Sequence, residues 1–221
     1  MKSITLTDAD LRRNVEEELR WDPDIDATDV AVNALSGVVT LTGFVRSYVQ
    51  RTQAEIDTKR VAGVHAVAND LEVHLPSRDV RPDPEIARDC VTQLEFDLPT
   101  SHEQVKLIVE NGWVSLEGSV IWNFQRERAA EAVRHIRGVT GVSNFIEVKP
   151  KVPATEIREK IESALSRIAV LDASRITVET QGGVVKLHGV VHSWAEREEA
   201  ERAAWAAPGV TSVDNQIAVN P

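Results

Sequence analysis

Gly112-Trp113-Val114-Ser115-Leu116-Glu117-Gly118 is preceded by Asn111, and an Asn-Gly pair opening an alternating run is the strongest short signal for a strand leaving a two-residue hairpin. The stretch occurs three times. Gly37-Val-Val-Thr-Leu-Thr-Gly43 follows Ser36, and Gly183-Val-Val-Lys-Leu-His-Gly189 follows Gly182. The first glycine of each copy, Gly37, Gly112 and Gly183, is expected at positive φ, because a hairpin turn that matches strand twist requires it.

Setting the three copies in register brings the rest of the chain with them. The offsets are 75 residues between the first and second copies and 71 between the second and third. Upstream, Leu11/Ile86/Ile157, Val15/Cys90/Ile161 and Leu19/Leu94/Leu165 coincide. A recurrence every four residues is one face of a helix. Val30/Val105/Ile176 and Val32/Leu107/Val178 follow at strand spacing. Downstream, a second helix is expected over about 47–62, 122–137 and 193–207, ending near Gly63, Gly138 and Gly209. A last strand carries Val67/Val142/Val213, Asn69/Asn144/Asn215 and Leu71/Ile146/Ile217.

The register needs no gap inside a copy, so the chain reads as α+β: three tandem αββαβ units. The expected boundaries are 8–75, 85–149 and 155–221, with proline-bearing linkers at 76–84 and 150–154. Within a unit the first two strands form an antiparallel hairpin. The third is parallel to the second through a crossover helix, and two helices cover one face of a three-stranded mixed sheet.

Composition limits function. Formal net charge is −10, with 42% hydrophobic and 27% charged residues. Such acidity disfavours nucleic acid as a partner. One cysteine excludes an intrachain disulfide. No signal peptide or membrane-spanning segment is read, so the expected location is cytoplasmic, or periplasmic if a signal has been removed.

No catalytic residue is expected. The glycine pairs are six apart and do not form a phosphate loop. Cys90 stands where the other copies have Val15 and Ile161, so it reads as a buried, inert thiol. His188 and His192 have no equivalents in the other copies, and no metal or cofactor is expected. Asn69, Asn144 and Asn215 read as local backbone caps.

The hairpin motif, the charged helix with spaced alanines (Ala54, Ala129, Ala200), the Gly63-Val64, Gly138-Val139 and Gly209-Val210 pairs and the aligned asparagines together resemble the BON domain, the bacterial osmotically inducible and nodulation domain. The resemblance spans about 10–75, 82–150 and 153–221. It implies the αββαβ unit, no known catalysis, and envelope roles such as phospholipid contact, osmotic-stress protection and association with transport systems. Three units where two are frequent, and no export signal, depart from the family's commonest pattern.

One feature points to a binding surface. Aromatic residues gather where the second helix of each copy begins: Tyr48, then Trp122 and Phe124, then Trp194. In the middle copy Arg126 and Arg128 follow. Aromatic tips beside local positive charge suit a phospholipid interface or an envelope protein partner. The alternative is a self-assembling homo-oligomer linked to solute transport. Trp122 and Phe124 are two apart, so both can face outward only if helical regularity begins after them.

Overall fold

A computed structural model describes residues 7–149, 157–168 and 171–220. The stretch read as the second linker, 150–154, lies outside them. The described chain falls into two compact units, one of residues 7–80, 193–195 and 220, the other of 81–192 and 196–219.

The first repeat runs α1 (Asp8–Trp21), β1 (Val30–Leu35), β2 (Val38–Val45), α2 (Tyr48–Arg60), β3 (Ala66–Val73). The second runs α3 (Asp83–Asp97), β4 (Val105–Glu110), β5 (Trp113–Val120), α4 (Asn123–Arg134), then β6 (Gly141–Asn144) and β7 (Glu147–Val148). The third runs α5 (Ile157–Leu165), β8 (Ile176–Gln181), β9 (Val184–Val191), α6 (Trp194–Trp205), β10 (Ser212–Val219). In each sheet the second hairpin strand is central, antiparallel to the first and parallel to the last. The second repeat differs in one respect: its last strand is interrupted at Phe145 and Ile146, so two short pieces pair with β5.

The cores follow the sequence register. Val15, Cys90 and Ile161 are all fully buried, as are Leu41, Leu116 and Leu187 on the central strands. Burial pushes the Cys90 thiol up to about 11, with Asp89 adding to the effect, so its thiolate is scarcely populated near neutrality.

Both glycines of the hairpin motif have physical causes. Ser36-Gly37 and Asn111-Gly112 place two successive residues at positive φ, the sign pattern of a type I′ turn. The third turn corrects the expectation for Gly183. There Gly182 has φ +60°, while Gly183 is not at positive φ, the sign pattern of type II′. A glycine in the first central place makes that turn accessible. The closing glycine answers to a close approach. A Cβ at Gly43, Gly118 or Gly189 would lie 2.0 Å from the carbonyl oxygen of Asp29, Gln104 or Arg175 respectively. Each of those carbonyls belongs to a 3₁₀ turn entering the first strand (Ala27–Asp29, His102–Gln104, Ala173–Arg175).

The aligned asparagines are caps of a particular kind. Asn69 donates from Nδ2 to the Arg51 carbonyl at 3.0 Å, and its Oδ1 accepts from the Leu71 N–H at 3.3 Å. Arg51 answers with Nε to the Leu71 carbonyl and a terminal nitrogen to the Asn69 carbonyl, both at 2.9 Å. Asn215 and Arg197 repeat the clamp in the third repeat. In the second, Asn144 keeps its two bonds, but Arg126 makes neither of the guanidinium bonds. Its guanidinium lies instead 4.5 Å from the centroid of the Trp205 ring. The strand that lacks the arginine half of the clamp is the one that is interrupted.

Candidate functional site

The start of α4 shows how the aromatic end of the second repeat is built. In the first repeat Ser47 is the N-cap of α2, its hydroxyl accepting from the Gln50 N–H at 3.2 Å. The equivalent N-cap of α4 is Trp122, which has no acceptor to offer. What remains is the reciprocal half of the box: Gln125 Oε1 accepts from the N–H groups of Ile121 and Trp122 at 3.1 and 3.0 Å, as the equivalent Gln50 accepts from the Arg46 N–H and Glu196 from the His192 N–H. Gln125 is itself held by the buried Ser101 hydroxyl at 3.1 Å. The helix therefore begins between the two aromatics. Trp122 is extended (φ −126°, ψ 142°) and Phe124 is already helical. Asn123 between them turns inward, and both aromatics face solvent, Trp122 at 41% and Phe124 at 58% exposure.

Phe96 joins them at 81% exposure. It precedes Asp97, the last residue of α3, whose carboxylate meets Arg128 at 3.7 Å. Arg128 stands four residues beyond Phe124, on the same stripe of α4. The ion pair sets the end of α3 beside the first turns of α4, so Phe96 and Phe124 lie at the same end of the repeat. The first repeat has an equivalent, Trp21, at 85% exposure. Sequence reasoning passed over Trp21 and Phe96, although the 75-residue register places one on the other. Each stands two residues past the last buried position of its helix, Leu19 or Leu94, off the core-facing stripe.

The other expected site residues lie in different surroundings. Tyr48 is half-buried at the start of α2. Trp194 is half-buried in the first compact unit, where its ring N–H donates to the Val64 carbonyl at 3.1 Å and the Lys59 ammonium lies 5.4 Å from a ring centroid. Arg126 is engaged by Trp205, and Arg128 by Asp97. Of the expected residues, Trp122 and Phe124 both face solvent at the head of α4, and Arg128 lies one turn further along the Phe124 stripe.

Among the described residues no group of three His, Cys, Asp or Glu side chains is placed to hold a metal, and no helix is long and apolar enough to cross a membrane.

Three repeats of this fold, each with the paired glycines, the buried helix stripe and the asparagine cap, define the class. The sequence pattern of the BON domain matches residues 7–74, 82–150 and 153–221, and the chain belongs to the BON domain family. Among individual proteins it is similar to Osmotically-inducible protein Y of Escherichia coli (strain K12), at 25% identity over 201 residues, 87% of this chain and 95% of that protein. Two solved structures of CdsD, a structural protein of the Type III secretion system of Chlamydia trachomatis, align at 14% and 13% identity. They cover 96% and 100% of this chain, and 93% and 100% of those chains. Both TM-scores are 0.27, too low for the likeness to carry an argument.

Proposed function

We propose that the chain is a non-enzymatic binding module of the osmotic-stress response, and that its second repeat contacts a phospholipid surface through Phe96, Trp122 and Phe124. The observation that carries the reading is the N-cap of α4. A tryptophan stands there where the equivalent residues of the other repeats are Ser47 and Ser193. Giving up a serine cap costs a helix about 1 kcal/mol. Trp122 still leaves 41% of its surface in water beside the more exposed Phe124 and Phe96, an apolar area that a bound state would cover. Aromatic rings flanked by Arg side chains suit the interfacial layer of a bilayer. The likeness to Osmotically-inducible protein Y supports the physiological setting.

Local charge supports the choice of the second repeat. The Arg128–Asp97 and Lys149–Glu147 pairs cancel charge near this end, so the acidity of the chain as a whole is muted where the rings project. The test is co-sedimentation of the full chain with vesicles of phosphatidylcholine and phosphatidylglycerol, alongside its mass in solution by sedimentation equilibrium. Binding should fall about ten-fold or more in a Phe96→Ala, Trp122→Ala, Phe124→Ala variant. Unchanged vesicle binding in that folded variant overturns the assignment. Loss of self-association instead of vesicle binding would move the reading to a homo-oligomer.

A further inference from the structure

A second surface of the same repeat differs from its sisters in a way the aromatic end does not explain. In α1, Arg12 and Glu16 form an ion pair at 3.6 Å, and in α5 the equivalent Arg158 and Glu162 meet at 2.7 Å. By the register these pairs occupy the positions that, in α3, line a groove beside the first strand of the sheet. The same two positions in α3 are Ala87 and Val91. The change strips a charged cover from the helix and leaves Val91 47% exposed. Beneath it opens a groove of about 770 Å³ between α3 and β4, floored by the buried Leu94 and Val105.

The far wall of the groove is an open sheet edge. β4 pairs only with β5 among the described residues. With a two-residue turn at Asn111-Gly112, Glu110 and Trp113 form the hydrogen-bonded pair that closes the hairpin. Pairing alternates along an antiparallel ladder, so Leu107 and Val109 turn their N–H and C=O groups away from β5. Leu107 lines the groove. An apolar trough running beside unpaired backbone groups is the arrangement that takes an extended peptide as an added strand.

The charge on the lining selects among such peptides. Arg88 and Lys106 line the groove, and no carboxylate does. Neither cation forms an ion pair among the described residues, although the chain carries a net charge of −10. We infer that the groove between α3 and β4 binds an extended, acidic segment of a protein partner by strand addition to β4, with alternate apolar side chains seated over Leu94 and Val105 and carboxylates met by Arg88 and Lys106. This surface is separate from the aromatic end and stands whether or not that end binds lipid.

A random seven-residue peptide display library is selected on the full chain and, in parallel, on the Ala87→Arg, Val91→Glu variant. That variant restores the side-chain pair that both sister repeats carry, so it folds. Peptides recovered on the natural chain should alternate apolar and acidic residues. Synthesised singly, they should bind about ten-fold or more weakly to the variant and to an Arg88→Glu, Lys106→Glu chain. The bound peptide should slow amide hydrogen exchange at Leu107 and Val109. The inference is overturned if no recovered peptide distinguishes the natural chain from the variant. It is equally overturned if recovered peptides are basic, or if binding leaves the Leu107 and Val109 amides exchanging as before.

Discussion

The carboxyl groups of Asp22 and Asp57 accept from one amide nitrogen, Gln53 Nε2, at 3.1 and 3.0 Å. Asp57 is only 1% exposed, and its Oδ2 has no hydrogen-bond partner among the described residues. The charged groups facing it are Asp22 at the end of α1 and Arg60, which reaches Oδ1 at 3.0 Å. Burial, then the neighbouring Asp22 carboxyl, push Asp57 up to about 6, while Asp22 is held below its ordinary value, first by the Asp24 N–H. The folded state therefore holds the Asp57 proton more tightly than the unfolded chain, where the ordinary value is 3.8. Stability from this group is complete below pH 3.8 and is lost as pH rises through about 6.

Amide hydrogen exchange in the first repeat, corrected for intrinsic rates, should accordingly report greater stability at pH 5 than at pH 7.5. Asp57→Asn, which mimics the protonated acid, should remove the slope. Asp57→Ala installs the residue found at the equivalent Ala132 and Ala203 and should stabilise the first repeat at pH 7.5 by about 1 kcal/mol. A slope that survives in Asp57→Asn would assign the pH dependence to other groups.

The closing glycine of the motif gives a ranked prediction. Gly118 has φ +126°, and a Cβ there would meet the Gln104 carbonyl oxygen at 2.0 Å. Gly182 has φ +60°, with nothing within 4 Å of its would-be Cβ. Gly118→Ala combines backbone strain with a backbone clash and should cost about 3 kcal/mol or more. Gly182→Ala meets the positive-φ turn backbone without a clash and should cost less, about 1–2 kcal/mol. Urea unfolding of the two variants reads the order directly, and equal costs would refute the close approach as the reason for the closing glycine.

The fold was legible because three copies of one register were present. Val15, Cys90 and Ile161 could be placed in equivalent cores from spacing alone, and the parallel pairing of β2 with β3 followed from the crossover helix. What resisted reading was local chemistry that differs between copies. Gly182-Gly183 gave no sign of which glycine would take positive φ, since either satisfies the turn signal. Interruption of the last strand at Phe145 accompanies the turn of Arg126 to Trp205, a residue 79 positions away in sequence. Phe96 was not legible because it stands off the core-facing stripe at the end of α3, far in sequence from the aromatics that open α4.

That difference between copies is itself testable. Arg197 donates to the Asn215 and Ile217 carbonyls at 2.7 and 3.0 Å, while Arg126 donates to neither equivalent carbonyl. Arg197→Ala should speed amide exchange along β10 and destabilise the third repeat by about 1–3 kcal/mol, the range for losing charge-assisted bonds. Arg126→Ala should leave exchange in β6 and β7 unchanged. Acceleration of β6 by Arg126→Ala would show that the clamp operates in the second repeat as in the others.

Trp122→Ser separates stability from function at one position. The substitution restores the residue that caps α2, where Ser47 accepts from the Gln50 N–H, and Gln125 already stands in the reciprocal place. A serine at the head of α4 would gain the N3 N–H as donor while Gln125 continues to accept from the cap N–H, completing the reciprocal box. The helix should gain about 1 kcal/mol, visible as a higher urea midpoint for the second repeat. The same variant removes the ring that projects beside Phe124 and Phe96, so vesicle binding should weaken while the protein becomes more stable. A variant that is both stabler and bound as tightly would show that Trp122 has no part in the contact. A variant that is less stable would show that the ring packs within the repeat.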